Sequence, residues 1–219
     1  MRFIPAFVAV PIVCLTIGCE RSVPYSDSVP TPPSSTEPSA SSPKRGIGTQ
    51  VSAPDVRLST PEGVFVNLAD ALGSGPVVVI FYRGGWCPFC TGHLSAWQDR
   101  LAELDSLGAS LIAITPERPD RVGAGQAEHN YGFAVLSDAQ GEAARAFDLQ
   151  FTIDAKTREL YQTYDIDLSQ FNASGTWDMV IPATYVIDSG GVIRYAYVNE
   201  DYRTRAEVDD VLEAVRSLP

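Results

Sequence analysis

Cysteine, histidine and positive charge are scarce in this sequence, and each shortage excludes a class of function. The 219 residues include four cysteines, two histidines and 16 Lys or Arg against 27 Asp or Glu, so the formal net charge is -11. No basic stripe is available to neutralise phosphates, which excludes a nucleic-acid partner. A closed zinc site takes four ligands, and with only His93 and His129 the chain is short of them. We therefore predict no metal and no bound cofactor.

Long apolar runs are also missing. The most apolar stretch, residues 3–17, is too short and too interrupted by Pro5 and Pro11 to span a bilayer comfortably, and it is typical of a secretory signal. The residues LTIG (15–18) and Cys19 that follow resemble the lipobox of bacterial lipoproteins, with the usual leucine displaced by one position. We predict that residues 1–18 are a lipoprotein signal peptide and that Cys19 is lipidated. Simple cleavage and an uncleaved anchor are the alternatives.

A polar segment follows the predicted lipidation site. Residues 20–43 hold eight Ser and six Pro and almost no apolar side chains, so they cannot bury enough surface to offset the entropy of ordering them. We predict a disordered tether over residues 19–47 and a folded domain over 48–219. The predicted location is the cell envelope, in the periplasm and anchored to a membrane through the lipid. Without acylation the segment is a disordered tail with no anchoring role.

Strand-like and helix-like segments alternate from about residue 48 to the end, a pattern typical of an α/β domain with a central sheet. A hairpin signal, Ser189-Gly190-Gly191, makes one edge of the sheet antiparallel. Residues 151–181 have mixed signals and indicate an insertion with a short helix around 157–164. The predicted strands are 76–82, 110–115, 133–138, 183–188 and 192–198.

Two longer helices are predicted to cover the sheet. One begins between Pro88 and Cys90, because proline suits the first helical position, and its apolar face continues to Leu107. The other closes the chain and is predicted to begin at a capping box formed by Thr204 and Glu207. The remaining aromatic residues cluster in the insertion, which makes it the best candidate for setting partner choice: Tyr161, Tyr164, Phe171 and Trp177.

Two cysteines remain for the mature domain, Cys87 and Cys90, in the motif RGGWCPFC. A disulfide that closes so small a loop adds little stability, so redox chemistry explains the pair better than a structural role. The start of a helix favours a thiolate, so we predict Cys87 as the attacking sulfur and Cys90 as the resolving one. Trp86 would shield the pair on one side, or it is a core aromatic. The alternatives are a buried inert pair and a metal site that adds His93.

A family resemblance rests on six stretches, which are SAPD (52–55), PVVVIFYRGGWCPFC (76–90), ITPERPD (114–120), FAVLSDAQGEAARAF (133–147), IPATYVIDSGGVIR (181–194) and DYRTRAEVDDVL (201–212). They resemble the peroxiredoxin-like branch of the alkyl hydroperoxide reductase/thiol-specific antioxidant family, within the thioredoxin-fold superfamily. The resemblance implies an α/β thioredoxin-like fold with a central mixed β-sheet flanked by helices. It also implies that Cys87 and Cys90 are redox-active and that Pro182 is a cis proline opposite them.

The peroxiredoxin pattern is changed at the site. Laid on that pattern without gaps, Arg83 replaces its proline, Cys87 replaces its threonine, and Cys90 takes the place of the peroxidatic cysteine. Pro182 stands where peroxiredoxins carry an arginine. These changes favour disulfide exchange, with Trp86, Pro88 and Pro182 supporting the cysteine pair.

One thioredoxin feature is missing as well. Phe81 replaces the buried aspartate that aids proton transfer in thioredoxins. Asp138, Glu117 or a water could substitute for that carboxylate, and the sequence does not choose among them.

Three functions are therefore open. The first is an envelope thiol-disulfide oxidoreductase that exchanges with protein thiols or disulfides, with Cys87 as the attacking and Cys90 as the resolving sulfur. An electron donor or acceptor protein completes the cycle. The second is a thiol peroxidase that reduces hydroperoxides. The third is a redox-inert or metal-binding lipoprotein. The first is the main prediction.

Overall fold

The computed structural model describes residues 45–72 and 75–219, in which helices cover both faces of a seven-stranded mixed β-sheet. The strands are β1 (Arg57–Ser59), β2 (Phe65–Asn67), β3 (Val77–Phe81), β4 (Ser110–Thr115), β5 (Ala134–Ser137), β6 (Gln150–Thr152), β7 (Asp178–Val180), β8 (Ala183–Ile187) and β9 (Ile193–Val198). The helices are α1 (Leu68–Leu72), α2 (Pro88–Gln98), α3 (Leu101–Ser106), α4 (Pro119–His129), α5 (Glu142–Ala146), α6 (Ala155–Gln162), α7 (Leu168–Phe171) and α8 (Val208–Arg216).

The sheet has the strand order β2-β1-β5-β4-β3-β8-β9, while β6 and β7 form a separate two-stranded sheet. β3 lies near the middle, parallel to β4 and antiparallel to β8. All five residues of β3 are buried, as expected for an uninterrupted apolar strand that is covered on both faces. The mixed sheet flanked by helices confirms the predicted fold class.

Alternate side chains of β3 enter two different cores, because successive residues of a strand point to opposite faces. Val78 and Ile80 share one core with α2, α4 and α8. Val77, Val79 and Phe81 share the other with α1 and α5. The loop that follows β3 therefore leaves from a strand that is buried along its whole length.

The predicted strands are all present, but the two long helices differ from the prediction. The first is divided into α2 and α3 by a turn in which Arg100 N–H donates to Trp97 O at 3.0 Å, although Trp97 and Leu104 are both fully buried. The last helix begins at Val208, so the predicted capping box is wrong. Thr204 instead donates its N–H to Asp201 O, within a turn that precedes the helix.

Pro182 follows a trans peptide bond, because none of the peptide bonds in the described residues is cis. The prediction of a cis proline is therefore wrong. Trans is the default even before proline, by about 0.5–1 kcal/mol. The chain runs extended from β7 into β8, with Ile181 N–H donating to Leu149 O at 2.9 Å and Ala183 paired with Phe81.

Ordered contacts begin slightly before the predicted domain boundary at residue 48. Gly46 N–H donates to Asp148 O at 3.2 Å, and the Arg45 guanidinium donates to the same oxygen. The predicted signal peptide, Cys19 and the tether up to residue 44 lie outside the described residues and stay predictions. Among the helices that the structure describes, none is long and apolar enough to cross a membrane.

Candidate active site

The cysteine pair lies where β3 passes into α2. Tyr82 extends the strand by donating its N–H to Ile114 O, and the chain then turns through two glycines. Cys87 precedes the helix in an extended conformation, and Pro88 occupies the first helical position, as predicted. Cys90 N–H donates to Cys87 O at 2.9 Å, within the first turn. Both cysteines are free thiols and are 1% exposed.

Two arginines reach the sulfurs from different parts of the chain. Arg205, in the segment before α8, places Nη2 3.4 Å from Cys90 Sγ. Arg83, in the loop itself, places Nη1 4.0 Å from Cys87 Sγ. Within residues 45–72 and 75–219, neither guanidinium forms an ion pair with a carboxylate. A thiolate at the pair is therefore the anion that these charges favour.

The two thiols of the pair have different surroundings. Burial raises the pKa of Cys90, but the hydrogen bond from the Cys87 thiol and the charges of Arg205 and Arg83 outweigh burial and lower that pKa to about 6. The hydrogen bond with Cys90 and burial raise the pKa of Cys87 above its usual range. The sequence predicts the thiolate at Cys87 from the start of the helix, whereas the guanidinium that comes nearest to either sulfur lies at Cys90.

Arg83 is held by aromatic side chains. Its guanidinium carbon lies 4.1 Å from the ring centre of Tyr202 and 4.9 Å from that of Trp86, and its Nη2 donates to the Tyr161 hydroxyl. Arg83 is only 4% exposed. A guanidinium stacked in this way is stabilised without a carboxylate. Its charge therefore stays available to the sulfurs.

Trp86 connects the site to the predicted insertion. Its ring centre lies 5.9 Å from that of Tyr161 and 6.4 Å from that of Phe171, and it packs against a small core that contains Trp177. The insertion helix α6, expected around 157–164, supplies Tyr161. The insertion therefore shapes the site through Tyr161, whereas Tyr164 is exposed.

Pro182 lies opposite the start of the cysteine loop. Ala183 pairs with Phe81 in antiparallel register, which brings Pro182 beside the end of β3. Pro182 is buried, and its carbonyl accepts the Asn199 N–H at 3.5 Å. The structure thus places Pro182 at the end of the sheet where β3 passes into the cysteine loop, after a trans peptide bond.

His93 is occupied within its own helix. Its Nε2 accepts the Trp97 indole N–H at 3.2 Å, and burial lowers the pKa of the imidazole to about 4. In the part of the chain that the structure describes, no group of three or more His, Cys, Asp or Glu is placed to hold a metal ion. Cys87, Cys90 and His93 are therefore not arranged as the metal site that the sequence left as an alternative.

The two candidate carboxylates have different surroundings. Asp138 accepts the N–H groups of Ala143 and Ala144, which are the first donors of α5. Glu117 follows β4 and accepts Gly85 N–H at 2.7 Å, in the cysteine loop. Burial raises the pKa of Glu117 to about 7 against the opposing effects of that hydrogen bond and of Arg121. Glu117 is therefore the carboxylate that the fold brings to the site.

Comparison with known proteins assigns the chain to a family. Residues 49–196 match the AhpC/TSA family. The chain belongs to the AhpC/TSA family. It is 24% identical over 216 residues to peroxiredoxin Q, chloroplastic, from Oryza sativa, a match that covers 95% of this chain and 88% of the relative. It is also 25% identical over 160 residues to peroxiredoxin Bcp from Escherichia coli, covering 73% and 90%.

Solved structures show the same fold. Peroxidoxin BcpB from Mycobacterium tuberculosis has a TM-score of 0.61 and 21% identity, and the match covers 78% of this chain and 97% of the other. Reduced Prx3 from Vibrio vulnificus has a TM-score of 0.63 and 16% identity, covering 78% and 99%. Like the peroxiredoxins it resembles, this AhpC/TSA protein is an oxidoreductase.

Sequence reasoning missed two residues of this AhpC/TSA site. Arg205 and Tyr202 both lie in DYRTRAEVDDVL, a stretch that carries the family resemblance but suggested no role. The sequence carries no signal for this role of Arg205, because Asp201, Glu207 and Asp209 lie close to it in the chain and make a local ion pair the simpler expectation. What the sequence lacked was any indication that this stretch reaches Cys90.

Proposed function

We propose that this protein is a thiol peroxidase in which a hydroperoxide oxidises Cys90 and Cys87 then forms a disulfide with it. The observation that carries the proposal is the contact between Arg205 and Cys90, which places a guanidinium at the sulfur that holds the negative charge. Cys90 also occupies the peroxidatic position of the family pattern. The likeness to peroxiredoxin Q and peroxiredoxin Bcp supports the same activity.

The first step is nucleophilic attack by the Cys90 thiolate on one peroxide oxygen. An S–O bond forms, the O–O bond breaks, and the departing oxygen takes up a proton and leaves as an alcohol or water. Arg205 lies close enough to Cys90 to stabilise the charge as it moves from sulfur to oxygen. Pro182 occupies the usual position of the family arginine, so Arg205 supplies the guanidinium from the C-terminal segment instead.

The second step joins the two sulfurs. Cys87 attacks the sulfenic sulfur of Cys90, an S–S bond forms, the S–O bond breaks, and the oxygen leaves as water. The pair spans a single helical turn, so this step needs little rearrangement of α2. A dithiol protein then reduces the disulfide. Disulfide exchange led by Cys87 is the weaker candidate, because the hydrogen bond with Cys90 and burial raise the pKa of the Cys87 thiol.

Single-cysteine variants test this assignment. The reduced full-length protein is treated with stoichiometric hydrogen peroxide, and the state of Cys87 and Cys90 is followed by alkylation and mass spectrometry. We expect Cys87→Ser to accumulate a sulfenic acid at Cys90 that dimedone traps, and Cys90→Ser to react far more slowly. The reverse pattern would overturn the proposal. Mixed disulfides with proteins trapped by Cys90→Ser would favour disulfide exchange.

We further propose that the enzyme works in the periplasm, held to a membrane by lipid on Cys19. The apolar residues 3–17, the lipobox-like residues before Cys19 and the Ser/Pro-rich segment support this location. Metabolic labelling with a fatty-acid analogue tests it. We expect label on the wild-type protein and none on Cys19→Ser, and an unlabelled wild-type protein would contradict the anchor.

A further inference from the structure

A buried carboxylate, that of Glu117, contacts the backbone of the cysteine loop. Glu117 is 4% exposed, and it accepts Gly85 N–H at 2.7 Å. A Cβ on Gly84 would lie 2.9 Å from the Glu117 carboxyl carbon and 2.3 Å from Trp86 Nε1. The carboxyl and the indole N–H thus both lie against the backbone of the loop that carries the pair.

Not every polar group near Glu117 has a hydrogen-bond partner. Trp86 Nε1 is buried and has no hydrogen-bond partner. The ionisable and charged groups that face Glu117 are Tyr82 at the end of β3, Cys90 in α2 and Arg121 in α4. Arg121 stacks over Phe171, at 4.1 Å, instead of forming an ion pair with Glu117. Because no ion pair with Arg121 holds the buried Glu117 carboxyl in its ionised form, this group can bind and release a proton.

Asp138 provides the contrast. It is as buried as Glu117, at 3% exposed, but both of its oxygens accept backbone N–H groups at the start of α5, at 3.1 and 2.8 Å. Its role is to cap a helix. Of these two buried carboxylates, Glu117 alone contacts the cysteine loop and interacts electrostatically with Cys90.

We propose that Glu117 binds a proton when the disulfide between Cys87 and Cys90 is reduced and releases it when the pair is oxidised. The negative charge that appears at Cys90 on reduction raises the affinity of the nearby carboxylate for a proton. This inference rests on the proposed function only in requiring that the pair cycles between dithiol and disulfide.

The proton count closes over one cycle. During reduction, an incoming dithiol gives two electrons and two protons and becomes a disulfide, while the Cys87–Cys90 bond breaks. One proton goes to Cys87, the other to the Glu117 carboxylate, and Cys90 becomes a thiolate. During oxidation, Cys87 and Glu117 return these two protons, which are the two needed to convert the hydroperoxide into an alcohol and water. Glu117 thus supplies the second proton that the sulfur pair does not hold.

A redox titration at several pH values tests the inference. The full-length protein is equilibrated in glutathione buffers from pH 5.5 to 8.5, and the state of Cys87 and Cys90 is read by alkylation and mass spectrometry. In the wild type, the dependence of the midpoint potential on pH should be steeper near pH 7 than at pH 8.5, because two protons accompany two electrons there. Glu117→Gln should lose this steeper region, and Asp138→Asn should keep it.

The outcomes separate proton binding from a structural role. Glu117→Gln still accepts Gly85 N–H, so a purely structural role predicts a curve parallel to that of the wild type, and that result would overturn the inference. If this variant does not fold, the wild type decides alone, through its reduced-minus-oxidised infrared spectrum at pH 7. A gain of protonated carboxyl on reduction is expected, and no gain would overturn the inference.

The titration contains no peroxide, so its result does not depend on whether the protein reduces hydroperoxides. A pair that shows the steeper region but does not reduce hydroperoxides would refute the peroxidase and leave the role of Glu117 intact. A pair that does not interconvert between dithiol and disulfide would refute both.

Discussion

Arg205 Nη2 lies 3.4 Å from Cys90 Sγ, although the two residues are 115 positions apart in the chain. This contact brings a guanidinium to one sulfur of a pair that otherwise shares the same helix turn. An opposite charge at this distance favours the ionised form of a thiol. It therefore favours a thiolate at Cys90, whereas the helix start in the motif favours one at Cys87.

Removal of the Arg205 charge should raise the pKa of Cys90. In the wild type the rate of Cys90 oxidation should rise with pH around a midpoint of about 6 and level off above it, because the thiolate is the nucleophile. Arg205→Met should move that midpoint upward by roughly 1–3 pH units. Stopped-flow measurement of peroxide reaction against pH checks this. Arg203→Met is the control, since Arg203 is paired with Asp201, and equal midpoints in all three proteins would refute the role of Arg205.

The Tyr161 hydroxyl should stabilise the buried Arg83. It accepts a hydrogen bond from Arg83 Nη2, and Tyr161→Phe leaves that charged donor without this partner. We expect a loss of about 1–3 kcal/mol in the free energy of unfolding. Urea denaturation of the reduced protein measures it. Tyr164→Phe, at an exposed position of the same insertion, should change stability by less than about 0.5 kcal/mol, and equal losses in the two variants would contradict the assignment.

Gly84 should not tolerate a side chain, whereas Gly85 should. The φ angle of Gly84 is 148°, in the region that favours glycine, and an added Cβ would lie 2.3 Å from Trp86 Nε1. At Gly85 the nearest atom outside the adjacent residues, Glu117 Oε2, would be 3.7 Å away, an ordinary contact. Gly84→Ala should therefore cost roughly 1–3 kcal/mol of stability. Thermal unfolding of both variants checks the difference, and a Gly84→Ala protein as stable as Gly85→Ala would show that the loop has another conformation.

Glu117 should make the folded state less stable as the pH rises. Its pKa is raised from 4.5 to about 7 in the folded protein, so the folded state binds a proton more tightly than the unfolded state between these values. Stability therefore falls as the pH rises through this window, by about 3 kcal/mol from this group. Glu117→Gln removes the effect.

Urea titrations of the reduced proteins measure this stability difference. We expect the stability of Glu117→Gln relative to the wild type to increase between pH 4.5 and pH 8, since the glutamine does not titrate and the wild type loses the stabilising effect of its proton. A relative stability that stays constant over this range would mean that Glu117 is not a buried, proton-binding carboxylate.

The sequence by itself determined the framework of the site. Apolar runs such as PVVVIFY predict the central strand β3, the Cys-x-x-Cys spacing predicts a redox pair, and proline after Cys87 predicts where α2 begins. These features depend on the local backbone and on whether a segment is buried, and both leave a periodic pattern in the residues. The resemblance to the AhpC/TSA family rests on the same local stretches of sequence, and it predicted the thioredoxin-like fold.

Only the tertiary structure shows which sulfur the nearest guanidinium contacts. The helix start favoured Cys87, but Arg205 reaches Cys90 from the segment before α8, and Tyr161 fixes Arg83 from the insertion. The structure likewise shows which of the two carboxylates lies at the cysteine loop. Glu117 accepts Gly85 N–H in that loop, whereas Asp138 accepts backbone N–H groups of α5. The physical reason is that pKa values follow from the charges, hydrogen bonds and burial that converge in space. Residues far apart in the chain supply them, and no local pattern records where they meet.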